Sequence, residues 1–139
     1  MTFLEALYGS QHQEISQNGK DGNKGRFNGN IFLAVLITLI IFTLFGILML
    51  LSQGFKMSSL TFVEENFISG KAAGKLLAIP VIAISYFIIS KTAGSEANFK
   101  KIIENFYCFP EDVRKTANKK LLTYFFIVFT VFIGVTMAL

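Results

Sequence analysis

The chain has 139 residues, just over half of them apolar, with one cysteine, one histidine and a formal charge of +4. A single cysteine and a single histidine exclude an intrachain disulfide framework and a Cys/His zinc cluster, so Cys108 and His12 are expected to be structural bystanders. A positive balance in a soluble chain would point to nucleic acid, but here the lysines and arginines flank apolar runs, where they set topology and meet lipid headgroups, and no nucleic-acid partner is expected.

Met1 to Gln17 opens with Thr2-Phe3-Leu4-Glu5, the pattern of a capping box, followed by Phe3/Leu7 and Leu4/Tyr8 at i,i+4 spacing. A short amphipathic helix follows from this. Its expected resting place is the membrane surface or the chain's own spans, with capture of a partner as the rival reading. The first apolar run starts only at Ile31, so no cleaved signal peptide is expected, and Thr2 stands where N-myristoylation needs glycine.

Asn18 to Asn30, NGKDGNKGRFNGN, is dominated by glycine and asparagine, which take positive φ most readily, and it reads as a turn-rich tether rather than a helix. The phosphate-loop pattern GxxxxGK[ST] is absent. An EF-hand beginning at Asp21 fails because Gly25, Arg26 and Phe32 occupy positions that need a ligand, a glycine and an acid. Lys20, Lys24 and Arg26 are expected beside lipid headgroups, each gaining on the order of 1 kcal/mol from an anionic surface.

Residues 31–52 form the first expected span: Ile31 to Leu51 carries no charge and matches the roughly 30 Å hydrocarbon core of a bilayer. The connector from Gln53 to Ser69 is too apolar to hang in water, and Thr61-Phe62-Val63-Glu64 has the form of a second capping box. A short interfacial helix is expected there, with Glu64 and Glu65 turned to solvent. The second span, 71–91, has an uncharged part from Leu76 to Ser90, lengthened by snorkelling of Lys71 and Lys75; Pro80 leaves the Leu76 carbonyl unpaired and predicts a kink. Gly94-Ser95 then reads as a helix stop followed by an N-cap.

Beyond Ser95, Phe99, Ile102, Ile103 and Phe106 recur at i, i+3, i+4, i+7, opposite Lys100, Lys101, Glu104 and Asn105. This apolar face is the expected contact for a partner or for the membrane surface. Pro110 ends that helix and suits the first turn of another, with Glu111 and Asp112 favourable at the positive end of the helix dipole. The new helix is expected to run into the third span, 121–139, with Lys119 and Lys120 at the headgroups.

Positive residues are retained in the cytoplasm. Ten of them precede span one or lie between spans two and three, against Lys56, Lys71 and Lys75 on the other side. The N-terminal segment 1–30 and the amphipathic loop 92–120 are therefore expected in the cytoplasm, and the C-terminus outside. Small residues recur every four positions at Gly70, Gly74 and Ala78 and at Thr130, Gly134 and Ala138. These stripes are expected to pack against each other, the rival being contact with a second copy or another protein.

The expected fold is an all-α integral membrane protein, a single domain over 1–139 with three transmembrane helices and short amphipathic interfacial helices. The span cores hold no Asp, Glu, Lys, Arg or His, the residues that usually mark ion and proton paths. Thr38, Thr43, Ser85, Thr123 and Thr130 are expected to bond back to their own helix carbonyls. Glu64/Glu65 and Glu111/Asp112 read as solvated charges, so no catalytic residue, metal or cofactor is expected. The functional expectation is a non-enzymatic accessory or assembly subunit of a larger bacterial inner-membrane complex, in contact with the lipid bilayer and with other membrane-protein subunits or copies of itself. A homo-oligomeric pore or transporter is the first alternative, and a lipid-acting membrane enzyme the second.

Overall fold

The computed structural model describes residues 1–51 and 70–138, with side chains from residue 76 onward in the second stretch. Six helices and no strand form among the described residues: α1 (Phe3–Gln17), α2 (Lys24–Leu51), α3 (Gly70–Lys91), α4 (Glu96–Cys108), α5 (Glu111–Lys115) and α6 (Ala117–Ala138). The second capping box, Glu64, Glu65 and the interfacial helix expected between the first two spans lie outside the described residues.

The first capping box forms: the Thr2 N–H donates to Glu5 Oε2 at 2.7 Å and the Glu5 N–H to Thr2 Oγ1 at 3.2 Å. The helix ends in a Schellman turn. Gly19 takes φ +70°, its N–H bonds the Ser16 carbonyl at 3.0 Å, and the Lys20 N–H bonds that of Ile15 at 3.1 Å.

The tether is shorter than its composition suggests, because α2 begins at Lys24 rather than Ile31. Gly25 and Gly29 are helical and buried, although glycine costs a helix roughly 1 kcal/mol relative to alanine. Close approach of α1 accounts for them. A Cβ on Gly25 would stand 2.9 Å from the backbone nitrogen of His12, and one on Gly29 would stand 2.5 Å from the Tyr8 ring.

α2 is the central helix, with α1, α3 and α6 packed on it, while α3 and α6 pack on α2 rather than on each other. α1 lies across one end of the bundle, against α2, α4 and α6; there the Phe3 ring meets Tyr124 edge-on at 5.7 Å. The buried core is concentrated at this end, in Ala6, Leu7, Leu33, Ala34, Ile89, Phe106, Ala117 and Leu121. α2 leaves the capped end, α3 returns to it at Gly94, and α6 leaves it again.

α2 and the Glu111–Ala138 segment are long and apolar enough to cross a membrane. Leu76–Lys91 meets that test only together with Glu96–Cys108, across a bend of 71°. Among the described residues there are thus two such helices, or three if the bent pair is one span. α3 continues as one helix through Pro80, and only Thr116 interrupts the path from α5 into α6.

Candidate functional site

A polar cluster ties the capped end together. The Tyr8 hydroxyl donates to Asn30 Oδ1 at 2.7 Å, both residues being buried, and Asn30 Nδ2 approaches the Gly94 carbonyl at 3.5 Å. The three residues join α1, α2 and the turn between α3 and α4. Burial pushes the Tyr8 phenol up to about 12, with Arg26 opposing part of the shift. Gly94 serves close approach rather than a left-handed turn: its φ is not positive, and a Cβ there would collide with the Asn30 side chain.

His12 sits beside this cluster, its Nδ1 3.0 Å from the Tyr107 hydroxyl and its ring against Phe99 and Tyr107. The Arg114 guanidinium lies over the other part of the contact, 5.3 Å from the Tyr107 ring centroid. Burial lowers the His12 pKa, and Asp21 pulls it partly back. The only histidine is therefore a link between α1 and α4. No pattern in the sequence marks a contact between residues 95 positions apart.

The apolar face of α4 is spoken for within the chain, which corrects its expected role as a free contact surface. Phe99 and Phe106 are 2% and 0% exposed, Ile102 and Ile103 are half-buried, and the face packs on α1. Tyr8 meets Phe99 edge-on at 5.8 Å, and Gly9 leaves room for the Phe106 ring. Two complementary amphipathic helices at the same end satisfy each other.

The expected packing of one small-residue stripe on the other does not occur among the described residues. Thr130, Gly134 and Ala138 are exposed, nothing among the described residues stands within 4 Å of a Cβ built on Gly134, and α2 lies between the helices that carry the stripes. The larger α2 side chains win the contacts of both neighbours. Ala78 instead lines a groove with α2, while the surroundings of Gly70 and Gly74 lie outside the described residues. Of the hydroxyls, Thr38, Thr43 and Thr123 bond back to the carbonyls of Ala34, Leu39 and Lys119, as expected.

Among the basic residues, Lys20, Lys24 and Lys119 are exposed, Arg26 is half-buried, and Lys120 donates to the Met1 carbonyl at 3.2 Å. Glu111 pairs with Lys115 at 2.9 Å, which holds its carboxyl below the usual range, and Asp112 is exposed. No three His, Cys, Asp or Glu side chains converge among the described residues.

Below the capped end, the parting of α3 and α6 opens a distal groove of about 500 Å³. Thr38, Phe42, Phe45 and Gly46 of α2 form its floor, Ala78 and Ile82 one wall, and Phe132 and Thr136 the other. Its two hydroxyls are already used, Thr38 on Ala34 and Thr136 on the Ile133 carbonyl. The surface on offer is apolar, and its chemistry is packing rather than proton or ion transfer.

No known protein family, curated protein or solved structure matches the chain. Its own geometry defines the class: an all-helical protein with helices compatible with membrane insertion, closed at one end by α1 and α4 and grooved beyond it.

Proposed function

We propose that the chain is a three-span, non-enzymatic accessory or assembly subunit of a larger membrane complex, and that its distal groove receives a transmembrane helix of the partner. The distal groove carries this reading. In lipid there is little hydrophobic drive for helices to associate, so a partner is held where small residues and shape allow backbones to approach. Gly46 and Ala78 supply small residues there, while Phe42, Phe45 and Phe132 supply contact area. The capped end offers less to a partner along the apolar faces of α1 and α4, since Tyr8, Phe99 and Phe106 are buried between them.

The orientation belongs to the same proposal. Lys20, Lys24, Arg26, Lys91, Lys100, Lys101, Arg114, Lys115, Lys119 and Lys120 all belong to segments at or next to the capped end; by the retention of positive residues, the proposal assigns that end to the cytoplasm of a bacterial cell and the C-terminus to the outside.

The test is photocrosslinking in the native membrane, with a benzophenone residue at Phe45 or Phe132 in the groove and at Phe126 on the exposed side of α6, followed by mild solubilisation and mass spectrometry. A single larger membrane protein captured from Phe45 and Phe132 but not from Phe126 is expected. Capture of lipid alone removes the proposal. Capture of this same chain, in a particle of discrete mass, replaces it with a homo-oligomer.

A further inference from the structure

Lys20 and Lys24 line one hollow of about 490 Å³, completed by Ile15, Phe27 and Asn28. Backbone bonds set their positions: the Lys20 N–H on the Ile15 carbonyl and the Lys24 N–H on that of Asp21, both at 3.1 Å. Both side chains are exposed, and neither ammonium has an ion pair or hydrogen bond among the described residues. The adjacent acid, Asp21, instead accepts the Asn23 N–H at 3.0 Å.

Phe27 also belongs to a second, proximal groove of about 620 Å³ between α2 and α3, lined by Ile31, Ala34, Ile82 and Ala83. At its head the Phe27 ring meets Tyr86 edge-on at 5.9 Å. From Lys24 to Ile31 is about 10 Å along a helix. Over that distance the surface changes from two unneutralised cations to a wholly apolar trough. A ligand matching both parts has a negative head and a hydrocarbon tail.

We infer that the hollow and the proximal groove together bind one anionic phospholipid, its phosphate at Lys20 and Lys24 and an acyl chain along Phe27, Ile31 and Ala83. The inference rests on the reading that α2 and α3 cross the membrane, which puts the lysines at headgroup depth. Ile82 borders both grooves, whereas Lys20, Lys24, Phe27, Ile31 and Ala83 lie outside the distal one. Charge selects the lipid, and the trough separates it from a free anion.

The test uses the full chain in mild detergent, titrated with dioleoyl phosphatidylglycerol or dioleoyl phosphatidylcholine, with bound lipid counted by native mass spectrometry. One phosphatidylglycerol is expected to bind in preference to phosphatidylcholine. The K20A/K24A double variant is expected to weaken it about thirtyfold, each lysine near an anionic surface being worth roughly fivefold. K100A/K101A, which removes the same charge on α4, leaves binding unchanged, and Ala83→Phe weakens the dioleoyl lipid but not its dihexanoyl analogue. Equal losses in the two double variants show diffuse attraction and overturn the site. Inorganic phosphate that displaces the lipid at equal concentration overturns the lipid assignment. Wild-type protein is also reconstituted in phosphatidylcholine vesicles and extracted with alkali. Release by alkali overturns the span reading and this inference with it; a resistant protein without phosphatidylglycerol preference overturns the inference alone.

Discussion

At the capped end, Tyr8, Phe99 and Phe106 are buried where α1 meets α2 and α4, whereas farther along the bundle α3 and α6 part and no described residue stands within 4 Å of a Cβ built on Gly134. The same residue type marks both regions with opposite meanings. Gly9, Gly25, Gly29 and Gly94 sit where another helix or side chain leaves no space for a Cβ, while a Cβ on Gly134 would meet none of the described residues. The capped end is held by aromatic burial, which water favours, and by the buried Tyr8–Asn30 hydrogen bond. The helices of the grooved region are compatible with membrane insertion, and in lipid close approach between helices must come from packing.

The largest expected effect breaks the capped end at its centre. Phe106→Ala leaves a cavity against Gly9 and is expected to cost about 3–5 kcal/mol, read as a fall in the thermal midpoint in mild detergent. A loss below about 1 kcal/mol would show that α4 does not close on α1 in solution.

A pair of one-methyl changes sharpens the contrast. Gly25→Ala pushes a Cβ onto the α1 backbone at His12 and is expected to destabilise by about 1–3 kcal/mol. Gly134→Ala meets nothing and is expected to be neutral or to stabilise by up to about 1 kcal/mol through helix propensity. Opposite signs in the same unfolding assay support the division of the molecule; two losses of equal size would show Gly134 covered.

The smallest effect is a pH dependence of the capped end. The folded His12 pKa lies below its usual value, so the folded state takes up fewer protons than the unfolded chain. The stability this contributes is complete above the unfolded pKa of about 6.5 and is lost as pH falls through the folded pKa. Between about pH 7.5 and pH 5.5 the thermal midpoint should fall further for wild type than for His12→Gln. Equal slopes would remove His12 as the cause.

Local patterns made part of this molecule legible. The capping box at Thr2 and Glu5, the restart at Ser95, the break at Pro110 and the apolar runs are properties of short windows, and the structure places helices accordingly. Amphipathicity at Phe99 and Phe106 was equally readable. Its partner was not, because a helical stripe says that a face will be buried without saying against what.

NGKDGNKGRFNGN shows where local reading fails and why. Glycine serves turns through its backbone freedom and helix contacts through its missing Cβ, and a single sequence does not separate the two uses. Gly19 serves the first, and Gly25 and Gly29 the second. The contacts between His12 and Tyr107, Asn30 and Tyr8, and Phe106 and Gly9 join segments distant along the chain, as does the separation of the two small-residue stripes by α2. Element type, apolar length and charge placement follow from residues a few positions apart. Which faces close and which stay open is decided by competition among all the helices for the same surface, and only the assembled bundle resolves it.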